Sequence, residues 1–193
     1  MKKVTLFLLS IIASLIIVSC KSKKPVSIAK QEGQIEISTP FDSKEYQSDA
    51  ENFRAVESGR SPDLSTAQQI ALQRATAKMA TMLRVKINKV GSDYTSQQTV
   101  GNPQEFSNDF QTQTYLVVSE ELANLKQIGQ KTFQDQSDKS YTVWIAIEAN
   151  KKSIFEKFDS KISSDKKLKL AYDKQKFQQI YDTEMKKLEE ERK

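Results

Sequence analysis

The sequence predicts an α+β fold: a small antiparallel sheet packed by a long alanine-rich helix, with a helical C-terminal extension. Three observations predict this class. Residues 52–59 place Phe53 and Ala55 on one side of an extended chain, and residues 140–149 are rich in the β-branched and aromatic side chains that strands favour. Between them, residues 64–85 repeat alanine at four-residue intervals, and residues 165–188 repeat apolar side chains at helical spacing.

The first twenty residues have the pattern of an export signal. Lys2 and Lys3 precede a mostly apolar run, residues 4–18, which is shorter than the about 20 residues that a membrane-spanning helix needs. The run ends in IVSC, with Ser19 directly before Cys20. This ending resembles the lipobox of bacterial lipoproteins, which implies cleavage between Ser19 and Cys20. The alternative is a signal anchor that carries a buried cysteine.

A lipobox implies that Cys20 carries diacylglycerol and a further acyl chain such as palmitate, which together anchor a protein stably in a membrane. The chain then divides into a lipoprotein signal peptide (residues 1–19) and a lipidated cysteine with a flexible tether (20–33). An α+β domain (34–149) and C-terminal helices (150–193) follow.

The domain begins with short extended segments. Residues 34–38 alternate and predict a strand, and residues 41–50 predict a polar loop. Residues 52–59 predict the first strand of the main sheet. A helix start follows at Ser61-Pro62-Asp63, with Ser61 as the expected capping hydroxyl and Asp63 near the positive end of the helix dipole.

The alanine stripe predicts a helix over residues 64–85 that lies close to the sheet, although small residues also suit a helix–helix seam. Residues 86–90 continue this helix or fray. Residues 91–103 predict a long polar loop, and loops of this length are functional or mobile. Tyr94 within it is therefore a candidate interaction residue.

Residues 104–124 recur at helical spacing and predict a second helix, whereas the β-rich stretch TYLVVS at 114–119 leaves a strand as the alternative. Residues 125–133 and 140–149 then predict a β-hairpin. Trp144 in its second arm is a core residue or an interaction residue.

The C-terminal part predicts a short helix after residue 150 and a longer one from residue 165 onward. Phe177 and Tyr181 belong to the apolar stripe of the longer helix and are candidate interaction residues. The stripe packs on the domain itself or on a partner helix.

Composition limits the chemistry. The chain has no histidine and a single cysteine, which excludes disulfides within one chain, sites built from His and Cys ligands, and Ser-His-Asp or Cys-His catalysis. We expect no metal, no cofactor and no catalytic residue. The net charge of +5, or +3 without Lys2 and Lys3, is spread along the chain, which together with the export signal argues against nucleic acid as a partner.

Several stretches behind the lipobox carry a family resemblance. They are FRAVESGRS at 53–61, the alanine-stepped helix, YTVWIAIE at 141–148 and LKLAYDKQKFQQIYDTEMKKL at 168–188. Together they resemble lipoproteins of Bacteroidetes-type bacteria related to the twenty-kilodalton outer-membrane lipoprotein family (LPP-twenty). The resemblance implies a compact α+β domain with a long helix across an antiparallel sheet, and it supplies no catalytic residue.

The expected function is that of a non-enzymatic, lipid-anchored envelope protein that binds another envelope protein or itself. A periplasmic carrier of a small apolar ligand is an alternative and would need a closed apolar pocket. The remaining alternative is a hydrolase with two carboxylates in a cleft. Its candidate acids are Asp93, Glu105, Asp109, Glu120 and Glu121.

The residues after Cys20 also predict a location. Lys21 is not the aspartate that retains lipoproteins at the inner membrane, so the outer membrane is expected. Lys23 and Lys24 are the opposite of the acidic residues that favour export to the cell surface in Bacteroidetes-type bacteria. We therefore expect the periplasmic leaflet.

Overall fold

The sheet consists of three antiparallel strands in the order β1-β3-β2. The computed structural model describes residues 37–97, 102–170 and 172–190. Within these residues the strands are β1 (Asn52–Ser61), β2 (Lys126–Gln134) and β3 (Tyr141–Asn150). Together with the helices described below, this sheet confirms the predicted α+β class.

One face of the sheet supplies the strand side of the core. Phe53 and Ala55 on β1 lie opposite Ala149 and Ile147 on β3, and all four are buried. Val143 and Ile145 continue this face, as the alternation predicted. Helix α1 (Leu64–Gln97) covers it.

Asp63 caps the start of α1, and not Ser61 as predicted. The Asp63 carboxylate accepts a hydrogen bond from the N–H of Thr66 at 2.7 Å, and the Asp63 carbonyl accepts from Ala67. The Ser61 hydroxyl accepts from the N–H of Asp63 instead, outside the helix. Capping lowers the pKa of Asp63, because the backbone and hydroxyl of Thr66 both stabilise the charged form.

The buried stripe of α1 begins with the predicted alanines and extends well beyond them. Its members are Ala67, Ala71, Ala75, Met79, Leu83, Ile87, Val90 and Tyr94. The predicted loop at 91–103 is therefore wrong over 91–97, which are helical, and at Pro103, where the next helix begins. Polar residues occupy the exposed positions of this last part of α1, which is why the sequence there has the composition of a loop. Residues 98–101 lie outside the described residues.

Helix α2 (Pro103–Leu122) confirms the helical prediction for this region, and the strand alternative at 114–119 is wrong. Asn102 caps the helix by accepting from the N–H of Glu105 at 3.2 Å. The buried residues Phe106, Phe110, Thr114, Val117 and Val118 follow a helical period. The β-branched pair at 117 and 118 is accommodated because both of its members pack into the core.

The predicted hairpin is confirmed. Strands β2 and β3 pair from Lys126 opposite Glu148 to Gln134 opposite Tyr141, with a bulge between Gln127 and Gly129. β2 makes its main contacts with β3 and extends beyond the layer of helices, since most of its side chains are exposed.

Helix α3 (Lys151–Ser164) follows β3 directly, and α4 (Lys174–Glu190) ends the described chain. The longer helix predicted from residue 165 begins later than expected. The Asp165 carboxylate instead accepts from the N–H groups of Lys167 and Leu168, at 2.8 and 3.0 Å, and a single 3-10 turn follows at Leu168–Leu170. Asp165 thus caps only this turn, and α4 begins after Asp173, whose carboxylate accepts from the N–H of Lys176 at 3.1 Å and whose carbonyl accepts from the N–H of Phe177 at 2.9 Å.

The apolar stripe of α4 packs on its own chain. Phe177, Ile180, Tyr181 and Met185 are buried, and α4 contacts both α1 and α3. An aromatic cluster fills the space between the helices: Tyr94, Phe106, Phe110, Phe155, Phe158, Tyr172, Phe177 and Tyr181. Intramolecular packing of this helix, one of the two predicted possibilities, is therefore observed.

Residues 38–193 form one compact unit that includes α3 and α4. The loop predicted at 41–50 is observed, with a short 3-10 turn at Lys44–Tyr46. Of the strand predicted at 34–38, residues 34–36 lie outside the described residues, whereas Ile37 and Ser38 are not part of a strand and Ile37 is 79% exposed. The predicted signal peptide, Ser19, Cys20 and the tether lie outside the described residues.

Candidate interaction surface

The two edges of the sheet differ in how their backbone groups are satisfied. On β1, the carbonyls of Arg54, Val56 and Ser58 point away from β3. The Ser48 hydroxyl donates to the carbonyl of Arg54 at 3.3 Å. The Lys78 ammonium donates to that of Val56 at 3.1 Å, and the Arg74 guanidinium donates to that of Ser58 at 3.0 Å. Side chains of the same chain therefore occupy the outward carbonyls of β1, and we call this the closed edge.

The edge formed by β2 is open. Asp135 donates its N–H to the carbonyl of Ser140 at 2.8 Å, which shows that the odd-numbered positions of this arm face β3. Because backbone groups alternate in direction along a strand, the N–H and C=O groups of Gln130, Thr132 and Gln134 face outward. Within the described residues, no side chain or backbone segment bonds to these outward groups. We call these three residues the β2 edge.

Beside this edge lies the sheet face that points away from α1, which we call the outer face. Trp144 stands at its centre, opposite Ser58 on β1 and Lys131 on β2. Phe133 lies opposite Thr142 and is 50% exposed, whereas Trp144 is half-buried. Two aromatic side chains and a cation are thus presented next to free backbone groups.

Residues before β1 cover the other end of the outer face. Phe41 is buried, and its ring centroid lies 4.5 Å from that of Tyr46. Gly129 allows this packing, because a Cβ there would lie 2.7 Å from the Phe41 ring. The Lys131 ammonium lies 5.1 Å from the Phe41 ring centroid, which directs the lysine along the face.

Ion pairs hold the two ends of the hairpin. At the turn, the Arg60 guanidinium donates to Asp138 at 2.8 Å and to Asp135 at 3.1 Å. Hydrogen bonds from Ser137 and Ser140 lower the pKa values of Asp135 and Asp138 respectively, with Arg60 contributing. These bonds give the strand ends a defined position.

At the far end, Arg54 pairs with Asp49 at 2.6 Å and with Glu148 at 3.2 Å. Lys126 also pairs with Glu148, at 3.0 Å. Desolvation raises the pKa of Asp49, but hydrogen bonds from Arg54 and from the N–H groups of Asn52 and Glu51 lower it by more. Charged groups at both ends of the outer face are therefore already paired.

Three of the four predicted interaction residues are not available to a partner. Tyr94, Phe177 and Tyr181 are 0%, 1% and 3% exposed. The Tyr94 hydroxyl accepts from the N–H of Asp173 at 2.6 Å, and the Tyr181 hydroxyl donates to the carbonyl of Lys151 at 2.7 Å. Aromatic side chains at helical spacing mark the inward stripe of a helix, and these three occupy the aromatic cluster.

Of the four, the structure places only Trp144 on a partly accessible surface. Its neighbour Phe133 was not singled out from the sequence. One signal for Phe133 was present: it is a large aromatic residue in a mostly polar arm, KQIGQKTFQ, and such an arm offers little apolar surface to bury it.

The candidate acids are each paired with a lysine. Asp93 bonds Lys89 at 2.6 Å, Glu105 and Asp109 face Lys167 at 2.6 and 3.9 Å, and Glu120 bonds Lys161 at 2.6 Å. Glu121 is buried and bonds Lys157. These pairs join α2 to α3 and to the turn after it, except for Asp93, which pairs within α1.

A cleft of about 660 Å³ lies between the start of β1 and helices α3 and α4. Phe155, Tyr181 and Met185 contribute apolar surface to it, and lysine and carboxylate side chains, including Lys174 and Asp182, line the rest. The carrier alternative predicted a closed apolar pocket, and this cleft has a mixed lining.

Two further observations concern membranes and metals. Among the helices of the described residues, none combines the length and apolar character needed to cross a membrane. The described residues also contain no cluster of three or more carboxylate, cysteine or histidine ligands placed to hold a metal ion.

Comparison with known proteins gives no assignment: no family model matches the chain, and no curated protein matches it either.

Proposed function

We propose that the chain is a non-enzymatic, lipid-anchored lipoprotein of the cell envelope that binds a protein partner through the outer face and the β2 edge. In this proposal it belongs to the outer membrane, as Lys21 and the resemblance to the LPP-twenty lipoproteins imply, and it faces the periplasm, as Lys23 and Lys24 indicate. The observation that carries the binding role is the contrast between the closed β1 edge and the open β2 edge, which lies beside Phe133 and Trp144.

The anchoring part of the proposal is supported by residues 17–20, IVSC, at the end of an apolar run too short to span a bilayer. Acyl chains on Cys20 stabilise membrane attachment by about 0.8 kcal/mol for each buried methylene group. Lys21, Lys23 and Lys24 follow directly and favour contact with anionic headgroups.

The binding part is supported by the composition of the surface. Aromatic side chains are enriched at protein interfaces, where they supply large contact areas at low entropic cost. Free backbone groups on an edge strand add hydrogen bonds that depend on geometry and not on a particular side chain. Phe133 and Trp144 beside the β2 edge combine both features.

Metabolic labelling with an alkyne analogue of palmitate tests the anchor. The wild-type chain is expected to incorporate the label and to remain in the membrane fraction after a high-salt wash. Cys20→Ala should lose both properties, whereas Ser22→Ala should keep them. Label retained in Cys20→Ala would refute lipidation at this residue. Protease added to intact cells should leave the chain uncut, and it should cut the chain once the outer membrane is opened.

Site-specific photo-crosslinking in cells tests the surface. A photoreactive amino acid at Phe133, on the outer face, should give a discrete protein adduct. The same amino acid at Gln69, an exposed position of α1, should not. Equal adduct patterns from both positions, or none from Phe133, would contradict a binding role for the outer face.

A further inference from the structure

We propose that the occupant of the β2 edge is a second copy of this chain, added antiparallel so that Thr132 of each copy lies on a two-fold axis. The inference rests on the proposed function, since it names the partner of the same surface. Two sheets would then join through their β2 strands into one continuous sheet, β1-β3-β2 followed by β2-β3-β1.

The direction of the backbone groups restricts the possible registers. Outward groups must face outward groups, so Gln130, Thr132 and Gln134 can pair only with one another across the interface. The bulge between Gln127 and Gly129 disturbs the first part of β2, which leaves residues 130–134 as the regular stretch. The register therefore has its centre within this stretch.

Among the registers that remain, one uses all three residues of the β2 edge. With Thr132 opposite Thr132, Gln130 of each copy faces Gln134 of the other, and every outward N–H and C=O of this stretch finds a partner. A register centred on Lys131 would place the two lysines directly opposite each other, which destabilises a sheet. A register centred on Phe133 would leave Gln130 facing the hairpin turn.

The side chains of this register are self-complementary. On the outer face, Lys131 of each copy lies opposite Phe133 of the other. The Lys131 ammonium stays over Phe41 of its own chain, and its aliphatic stem covers the facing Phe133 ring on both sides of the axis. On the opposite face, two threonines meet at the axis, a pair that stabilises neighbouring strands. The exposed half of Phe133 would thereby be covered.

The closed β1 edge determines how far the assembly grows. A two-fold contact uses the same surface of both copies and leaves no further copy of it exposed. The ends of the joined sheet are then the β1 edges, whose carbonyls already accept from Ser48, Lys78 and Arg74. The structure therefore predicts a closed dimer and not a fibre.

Cysteine crosslinking in the full-length chain tests the contact. Paired Cα atoms that exchange hydrogen bonds in an antiparallel sheet lie about 5.5 Å apart, a separation that a disulfide can bridge. Thr132→Cys in membranes treated with a mild oxidant should therefore run as a disulfide-linked dimer. Gln69→Cys, exposed on α1, and the parent chain, whose only cysteine is Cys20, should remain monomeric.

Charged substitutions at Thr132 test the same contact at the two-fold axis without depending on disulfide geometry. Thr132→Lys and Thr132→Glu each place like charges at the axis and should weaken self-association about tenfold, measured by sedimentation of the detergent-solubilised full chain. Mixing the two variants should restore association as a mixed dimer. Because Thr132 is exposed, both variants should keep the circular dichroism spectrum of the parent chain.

The outcomes separate this inference from the proposed function. If the chain is monomeric and Thr132→Cys forms no crosslink, the dimer is overturned. Lys131 and the bulge would then serve to prevent the edge strand from pairing with another chain. Photo-crosslinking of Phe133 to a different protein, without self-crosslinking, overturns the dimer but keeps the envelope binding role. A dimer that persists while Cys20 carries no lipid keeps the dimer and refutes the anchor.

Discussion

At the scale of single residues, Gly59 controls the distance between the sheet and α1. A Cβ at this position would lie 2.4 Å from the carbonyl oxygen of Ala67 and 2.5 Å from the nitrogen of Ala71. Both are backbone atoms, so the helix as a whole would have to move outward. The alanine stripe was predicted as a sign of close packing. The sequence left open that a glycine on β1 completes the contact.

Gly59→Ala is expected to lower the free energy of unfolding by about 1–3 kcal/mol, because overpacking forces backbone shifts. The gain of about 0.5–1 kcal/mol from removing a glycine within a strand offsets only part of this cost. Urea denaturation measures the difference. Ser58→Ala, at the adjacent position on the outer face, is the control and should change stability by less than about 0.5 kcal/mol. Equal stability of the two variants would show that α1 can move away from the sheet at little cost in free energy.

Among elements, α2 and α3 are joined by ion pairs of different burial. Glu121 is almost fully buried where it bonds Lys157, whereas one helical position earlier Glu120 is exposed and bonds Lys161 at 2.6 Å. The two carboxylates were predicted together as candidate acids, and their neighbourhoods differ only through the packing of α3. Burial makes the loss of a charge more costly, because the partner ammonium is left without its carboxylate.

Glu121→Gln should therefore destabilise the fold by about 1.5–3 kcal/mol, the range for hydrogen bonds to charged groups. Glu120→Gln is the matched control and should cost no more than about 1 kcal/mol, as exposed pairs do. Chemical denaturation of both variants in the same buffer tests the contrast, and a double-mutant cycle with Lys157→Met isolates the pair. A larger loss from Glu120→Gln would contradict the assignment of the buried pair.

The packing of α4 adds a pH dependence. Burial raises the pKa of the Tyr181 hydroxyl, and the charges of Asp182 and Glu121 raise it further. Burial likewise raises the pKa of Tyr172, whose hydroxyl donates to Asp159 at 2.8 Å. In the unfolded chain both hydroxyls ionise near about pH 10, whereas in the folded chain they stay neutral to higher pH.

The unfolded state thus binds fewer protons than the folded state above about pH 10, so the stability contributed by these tyrosines falls as the pH rises beyond that value. Denaturation midpoints measured across this range should decrease. The decrease should be shallower in the double variant Tyr172→Phe/Tyr181→Phe, which lacks both tyrosine hydroxyls. Lysines also ionise in this pH range, but they do so in the variant and in the parent chain alike. Identical slopes would show that the hydroxyls titrate in the fold as they do in the unfolded chain.

At the scale of the whole molecule, α1 links two parts of the core. Its first half packs on the sheet through the alanines, and its second half reaches the aromatic cluster through Tyr94. Phe177 of α4 contacts Phe110 of α2 and Phe155 of α3 in this cluster. Because one helix contributes to both parts, loss of either removes support from the other.

Residues 38–193 are therefore expected to unfold in one cooperative transition. Fluorescence of Trp144, the only tryptophan, reports on the sheet, and far-ultraviolet circular dichroism reports mainly on the helices. The two thermal midpoints should coincide. Phe177→Ala, which removes a ring from the aromatic cluster, should lower both equally, with a cost of about 3–5 kcal/mol. A helical signal that is lost before the tryptophan signal would show that α4 unfolds separately.

Much of the fold was predictable because its signals are local. The hairpin follows from the β-rich arm at 140–149 and the polar turn before it, and the first half of α1 follows from the alanine spacing after Ser61-Pro62-Asp63. Where α1 ends and where α4 begins were both predicted wrongly. The first depends on Gly91 lying against Phe110, and the second on the capping bonds of Asp173, neither of which has a periodic pattern.

The candidate surface was predictable only in part. Trp144 was proposed from its place in the hairpin, Tyr94 from its place in the predicted loop, and Phe177 and Tyr181 from the apolar stripe of α4. The last three are buried. Aromatic side chains stabilise cores and interfaces by the same physical means, so type and spacing alone do not separate the two roles. Exposure separates them, and it depends on neighbours distant in sequence.

By itself, the sequence determined the α+β class, the strands β1, β2 and β3 and the inward face of the first part of α1, because periods of two and of about 3.6 residues are properties of the local chain. Only the tertiary structure decided which sheet edge is closed and which is open. That difference arises because α1 brings Arg74 and Lys78 to the carbonyls of β1, while β2 extends past the helices. Contacts of this kind depend on how the elements pack in space, which residue spacing does not encode.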